Sequence, residues 1–452
     1  MKSRTPLLPA AALLLAASLV PACTGGAFTA VYPPRPPATP GEPIADPAPA
    51  KVILHTTITG KAMEGALEEA LPKTGDGSFQ MIGGERKYSY KRGAPTVRFG
   101  DGKVTIALHA DANLDMPVSS LDVGLDFKIS AEPVITAAYV AKLQSVSVKV
   151  TSDDRLVKVA DKVGDVLAKL QAVLQTKLEE FSYDLQPMIV PAYERVARPI
   201  DLPVGDAHGC ARLKLVGVEA GPTVLADGIE KDIALVVAPS VTLPCGAEEA
   251  LAPLPPLRNV ASLPSGPFTV TVPIAASYDE LAKAMTATFT DGKLFFSKDY
   301  PELYMEKPEV YASKDQLVLK LHIAGPIKKS GIETTLDGDL YMAGHPTVVD
   351  NELRIPDLEP TIETTSFLLG LKAALDGSGI RDQARAALRL DIGERLKSAK
   401  DKLSTDLSFG EGKGCLKAQT HKIEVTGVHV HGSYLRVYVD ATASADVFLP
   451  CP

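Results

Sequence analysis

Two cysteine pairs constrain this chain more than any other feature. Cys210 opens the run Cys210-Ala-Arg-Leu-Lys-Leu-Val-Gly-Val, and Leu243-Pro244-Cys245 closes it; Cys415 opens Cys415-Leu-Lys-Ala-Gln, and Leu449-Pro450-Cys451 closes it. The two spans differ in length by one residue, and their midpoints fall between Asp227 and Gly228 and on Ser433 beside Gly432. Asp-Gly and Gly-Ser suit the two-residue turns of β-hairpins, because glycine accepts the positive φ such turns need. Each pair therefore brackets a long hairpin and stands where a disulfide would close its open end. The hairpin symmetry predicts the bonds Cys210–Cys245 and Cys415–Cys451, each worth roughly 4 kcal/mol on a chain-entropy argument. It also predicts that the chain is two equivalent halves.

Disulfides persist outside the reducing cytoplasm, and the N-terminus points the same way. Lys2 and Arg4 precede an apolar run over 7–20 that is short for a membrane span. Val20-Pro21-Ala22-Cys23 then approximates the lipobox of bacterial lipoproteins. On this reading residues 1–22 are a signal peptide and Cys23 is the lipidated first mature residue; an ordinary signal peptide cleaved near Ala22 is the alternative. Thr24 follows with no aspartate to hold the protein at the inner membrane, so an outer-membrane anchor facing the periplasm is expected. With Cys23 set aside, four of the five cysteines remain, the even number a disulfide framework requires. The net charge of −8 excludes a phosphate-binding role toward nucleic acid and electrostatic adhesion to an anionic bilayer. Membrane contact is expected through Cys23 alone.

A composition of 45% hydrophobic and 23% charged residues describes a globular chain. Residues 23–50 are rich in proline and read as a tether. The first half, 51–245, then gives a β-branched strand over 52–58, a short helix over 61–71, and strands over 98–110, 123–129 and 144–150. From Leu156 to Phe181 apolar residues recur at three- and four-residue steps, predicting one helix of about eight turns capped near Asp153 and Asp154. The Cys210 hairpin follows, and the Pro-rich stretch 246–266 reads as a connector. The second half, 267–452, repeats the order: a strand over 268–275, a helix over 278–289, strands over 293–296, 317–322, 332–342 and 352–362, helices over 366–375 and 381–407, and the Cys415 hairpin. Val104-Thr-Ile-Ala-Leu-His109 and Leu317-Val-Leu-Lys-Leu-His322 correspond, each ending on histidine. The offset of roughly 205 to 215 residues is that of an internal duplication. The expected fold class is α+β: two tandem elongated units, each a long curled antiparallel sheet wrapped along a long amphipathic helix.

That outline resembles the tubular lipid-binding superfamily related to bactericidal permeability-increasing protein, in which helix and sheet part around an apolar groove. The second half also resembles domain-of-unknown-function family 4403, a family of bacterial envelope lipoproteins. The resemblance is carried by Pro273-Ile-Ala-Ala-Ser-Tyr-Asp-Glu-Leu281, Gly338-Asp-Leu-Tyr-Met-Ala-Gly-His-Pro346 and Leu353-Arg-Ile-Pro-Asp-Leu358. It extends from Lys51 to the C-terminus and supplies no catalytic residues. The chain contains no tryptophan, a departure that withdraws any aromatic ligand contact from the transfer. The resemblance implies a non-enzymatic lipoprotein binding a lipid or other long apolar ligand between helix and sheet. Val163, Leu167, Leu170 and Leu174 in the first half, and Leu388, Ile392 and Leu396 in the second, are the expected ligand-facing residues. An envelope scaffolding or protein-binding module with filled cores is the alternative, and no protein partner can be named.

Little else in the sequence bears chemistry. His429-Val-His431 places two imidazoles on one strand face with His421 nearby, a chelating spacing; a polar strand face beside the Gly432 turn explains it equally and is the reading adopted. No metal or cofactor is expected. Asp337-Gly-Asp339 is too short for a calcium loop. Neither a Gly-x-Ser-x-Gly elbow, a His-Glu-x-x-His helix nor a phosphate-cradling glycine loop occurs.

Overall fold

The computed structural model describes residues 30–32, 35–81, 84–115, 120–152, 161–204, 207–247, 250–287, 289–297, 300–329, 332–364, 390–391, 397, 400–401, 404–408, 414–449 and 451. Strand outweighs helix by a wide margin, which corrects the balanced α+β expectation to a sheet-dominated one. Helices occupy Gly60–Ala70, Asp161–Glu179, Gln186–Ala197 and Tyr278–Thr286. Both hairpins form as the cysteine spacing predicts. Ala207–Leu225 pairs with Gly228–Leu243, and Cys415–Val430 pairs with Tyr434–Leu449. Each carries two register shifts, at Leu215/Gly217 and Ala220/Thr223 in the first and at Thr420/Lys422 and Val425/Gly427 in the second. Such bulges raise the local twist and bend a strand too long to stay flat.

Among the described residues the hairpins belong to one nine-stranded sheet. Two ten-residue strands, Ala50–Thr59 and Phe268–Ser277, lie between them. Ala50–Thr59 runs antiparallel to its own hairpin strand (Thr59 opposite Gly228, Ala50 opposite Val237) and parallel to the other half's last strand (His55 opposite Asp446, Ile58 opposite Leu449). Phe268–Ser277 repeats this with the halves exchanged: antiparallel to Tyr434–Leu449, and parallel to Val241–Leu243 through Ile274–Ala276. The two halves thus meet in a hydrogen-bonded seam. Each strand feeds directly into a helix whose N-cap hydroxyl, Thr59 or Ser277, accepts a hydrogen bond from the backbone N–H three residues on.

The remaining long strands form one sheet per half. Seven strands from Thr74 to Asp184 make the first, and six strands, including Tyr300–Ser313, Gln316–Lys329 and Ile332–Gly344, make the second. The second-half core is tightly filled, with Leu303, Leu321, Ile323, Leu340 and Leu358 all at 1–2% exposure.

Several expectations change. The 23–50 tether is a docked strap over its described part. Ala30–Tyr32 pairs with Ile362–Thr364, the Thr39 N–H donates to Ala312 O at 3.0 Å, and the Tyr311 hydroxyl donates to Pro36 O at 2.9 Å. Proline-rich backbone keeps its carbonyls free to accept from outside, and here they do. The 246–266 connector contains a strand, Leu257–Asn259, parallel to Val218–Ala220. The single strand over 98–110 is a hairpin, Thr96–Gly100 and Lys103–Asp115, turned at Asp101-Gly102. The strand over 352–362 is split around buried Ile355 and Leu358 into Glu352–Arg354 and Glu359–Thr364. The 366–375 helix and most of 381–407 lie outside the described residues; within the latter, positions 397 and 400–401 are helical as expected, but Leu390–Asp391 and Thr405–Ser408 are strands. Sheet edges at Glu352–Leu353 and Cys415–Ala418 claim them, and a ladder overrides a modest helical spacing.

Candidate functional site

The first-half sheet builds its inner face from alternate residues of successive strands. One cross-strand row runs Gly75, Tyr90, Ala112, Val123, each opposite the next. Ala112, Val123 and Leu125 are buried here with Val146, Val148 and Val150, and Tyr90, Leu114, Leu121, Phe127 and Ile129 pack against them partly exposed. The sheet begins with an edge strand, Thr74–Met81, in which Gly75 stands opposite Tyr90 and Gly77 opposite Tyr88. A Cβ at Gly75 would stand 2.6 Å from the Tyr90 ring, and one at Gly77 2.6 Å from the Tyr88 hydroxyl. The rings therefore lie over bare backbone, an arrangement that shields an edge glycine and extends the apolar face. Period-two spacing of Gly75/Gly77 and Tyr88/Tyr90 was the available sequence signal. The glycines read instead as loop, so this hairpin went unassigned.

The helix Asp161–Glu179 lies on the last long strand of this sheet, and Leu167, Leu174 and Leu178 pack onto the valine cluster. At these positions the helix-to-sheet contact is closed packing rather than an open groove. The described part of the helix has 19 residues, about five turns; Leu156, Val159 and the expected caps lie outside the described residues, as do the side chains of Val163 and Leu170. Leu388, Ile392 and Leu396 likewise lie outside them. Of the seven expected ligand-facing residues, Leu167 and Leu174 alone are placed, and both face the sheet.

Beside the helix, a cavity of about 730 Å3 crosses the four strands of the Gly75–Val123 row. Its wall mixes Tyr90, Ala112 and Val123 with Asp76, Lys91 and Asp122. Asn113 Nδ2 donates to Asp122 Oδ1 at 2.6 Å across the polar rows. The volume falls in the range of small-molecule sites. Successive strand residues point to opposite faces, so Asp76, Lys91, Asp111 and Asp122 line the solvent side of the sheet behind the Tyr90–Ala112–Val123 row. Arg92 braces the adjoining edge: its guanidinium, almost wholly buried, donates to Glu68 Oε2 at 2.6 Å and to the Glu68 and Leu71 carbonyls. That ties the C-terminus of the Gly60–Ala70 helix to the sheet. Arg92, and then Lys73, hold the Glu68 carboxyl below its ordinary range.

The matched histidines prove equivalent in detail. His109 Nδ1 is 2.8 Å from Asp126, its cross-strand partner, and His322 Nδ1 is 3.3 Å from Asp339, its own. The Asp126 contact raises the His109 pKa, with Asp111 adding to it. The pairs are exposed or half-exposed on separate sheets, so they mark duplication and build no common site. His429 meets Tyr438 edge-on, His431 stacks on Tyr434 at 4.1 Å, and His421 Nε2 contacts Ser444 Oγ at 3.1 Å. These three imidazoles are spent separately. Among the described residues no three His, Cys, Asp or Glu side chains converge as metal ligands.

The first cysteine pair is a disulfide, Cys210–Cys245, with Cα atoms 4.9 Å apart. The second pair stands as free thiols, Cys415 buried and Cys451 exposed. Sequence spacing fixes which cysteines meet, whereas bond formation also requires an oxidant. Cys23 lies outside the described residues.

The family model for a domain of unknown function, DUF4403, matches residues 49–449. No curated protein matches the chain. Among solved structures, the crystal structure of lipopolysaccharide binding protein aligns at 14% identity over 89% of this chain and 99% of that one, with a TM-score of 0.26. P47 from Clostridium botulinum A2 aligns at 9% identity over 86% and 96%, with a TM-score of 0.24. Superpositions this distant carry no argument about mechanism.

Proposed function

The chain belongs to the DUF4403 family, a membership that assigns no chemistry, and from that premise we propose a bacterial envelope lipoprotein that binds an amphiphile with a long apolar tail. It acts without catalysis, on the inner face of the first-half sheet. The observation that supports this most is the apolar inner face, where Tyr90, Leu114, Leu121, Phe127 and Ile129 stand partly exposed around the buried valines, with a cavity of about 730 Å3 across its strands. In this reading the first half is a tubular unit, its sheet curled along Asp161–Glu179, and the tail lies on the tyrosine-covered end the helix leaves open. Around the cavity, on the solvent side of the same strands, Asp76, Asp111 and Asp122 outnumber the one ammonium, Lys91. Like charges repel at such distances, so the head group accepted there is neutral or cationic. Cys23 supplies the membrane anchor, at the outer membrane facing the periplasm.

Native mass spectrometry of the full chain after gentle purification tests the proposal. Retained lipid, and uptake of a fluorescent alkylamine in preference to a fatty acid of equal length, is the expected result. A chain that emerges bare and takes up neither probe defeats it. Scaffolding is the second reading, favoured by the filled second-half core. It predicts a stable protein partner in envelope crosslinking together with failure of both probes.

A further inference from the structure

The free thiols Cys415 and Cys451 occupy the same structural position as the existing disulfide. Cys210 lies opposite Thr242, three residues before Cys245; Cys415 lies opposite Phe448, three residues before Cys451. Glycine precedes each opening cysteine, and its surroundings match. A Cβ at Gly209 would meet Leu243 and the Thr242 carbonyl, and one at Gly414 would meet Leu449 and the Phe448 carbonyl. The closing strands also do equivalent work. Val241–Leu243 joins the second half through Ile274–Ala276, and Asp446–Leu449 joins the first half through His55–Ile58. Each cysteine pair therefore stands at one end of the seam between halves.

We propose that Cys415 and Cys451 are a second disulfide site, closed by exchange with an oxidised dithiol, that staples the far end of the seam. Cys451 is exposed and Cys415 is 6% exposed, which sets the order of events. The Cys451 thiolate attacks the donor disulfide, forming a mixed disulfide and releasing one donor sulfur. Cys415, beside Cys451 at the end of the same hairpin, then gives its proton to the freed donor thiolate and attacks the Cys451 sulfur; the second donor sulfur leaves and the donor is reduced to its dithiol. The Cys415 thiol is held above its ordinary range by Cys451 and by burial, so it remains protonated and unreactive until its neighbour has been captured.

The test uses the full chain incubated with oxidised glutathione, denatured in an alkylating reagent without reductant, and mapped by peptide mass spectrometry. The expected result is a linked peptide pair joining Cys415 to Cys451, with neither residue alkylated. Full alkylation of both while Cys210–Cys245 stays linked, or a link from Cys451 to Cys245, overturns the assignment. A second measurement addresses the staple. Cys451→Ser alters an exposed position and should melt below the oxidised wild type, at the temperature of wild type whose second bond has been selectively reduced. Equal melting of the oxidised wild type and the variant overturns stapling even where the bond forms.

Discussion

Glu219 sits at 3% exposure in the middle of the first hairpin, and two cations reach it from different parts of the chain. Lys51 Nζ, from the opening strand, lies 2.7 Å from Oε2, and the Arg258 guanidinium, from the connector, contacts Oε1. Lys51 first, and Arg258 next, hold this carboxyl below its ordinary 4.5. A depressed native pKa stabilises the fold above the unfolded value, and that contribution is lost as pH falls through the lower one. Glu219→Gln lacks it at every pH. The melting-temperature gap between wild type and variant is therefore expected to narrow from about pH 6 to about pH 3. A second charged contact works in the opposite sense. His345 Nδ1 lies 2.5 Å from Asp357 and Nε2 lies 3.2 Å from Asp315. The Asp357 contact is the main reason its pKa stands above 6.5. The stabilisation is full below that value and fades as pH rises through the raised one. An NMR titration of the His345 ring should show a larger fall in Asp357→Asn than in Asp315→Asn; the reverse order would reject this account.

At the scale of elements, the strap shows how far composition misleads. Its prolines mark residues 33–49 as extended and unsupported, yet its partners lie roughly 270 to 390 positions away, where no local pattern points. Arg436 closes it, with Nη1 2.9 Å from Asp46 and 3.3 Å from the Ile44 carbonyl. Gly41 passes so close to the Val430 carbonyl that a Cβ would overlap it. Gly41→Ala should therefore lift the strap, read as limited proteolysis within 35–46 at a rate at least about tenfold above wild type, with the hairpins intact. The hairpins, by contrast, were readable in sequence, because turn dipeptides and cysteine spacing are local and symmetric. The helix Asp161–Glu179 was readable from Leu167, Leu174 and Leu178, but its C-terminal end was carried two residues too far by counting Phe181, which lies beyond it at 45% exposure. The cavity was not readable, since Gly75 and Gly77 mean a loop unless Tyr88 and Tyr90 are already known to cover them. The seam was invisible for a different reason. Parallel pairing of His55–Ile58 with Asp446–Leu449 joins residues nearly a chain length apart, and nothing in either stretch specifies the other.

For the whole molecule, stability is divided between filled cores and the crosslink. Replacing both Cys210 and Cys245 by serine releases a 35-residue separation and should cost about 4 kcal/mol, visible as a lower denaturant midpoint with a steeper slope, because the uncrosslinked unfolded chain exposes more surface. The loss should fall on the hairpin and the first end of the seam. The tightly buried second-half cluster around Leu321 and Ile323 should keep its amide protection longest in hydrogen exchange.

The seam also sets an order of events for a chain that is made, and on our proposal exported, from its N-terminus. Ala50–Thr59 is the first long strand to emerge, and one of its edges is satisfied when Gly228–Val237 arrives. Its other edge waits for Asp446–Leu449, which is made only after the whole first half and most of the second. Until then a row of unpaired backbone donors and acceptors stays open to any passing strand. A chain terminated after residue 440 should accordingly aggregate or be degraded even with every first-half residue present, and a soluble, monomeric product by light scattering would contradict this. The Tyr434–Leu449 strand thus acts as a distant check: the opening strand stays bare until the far half has been made.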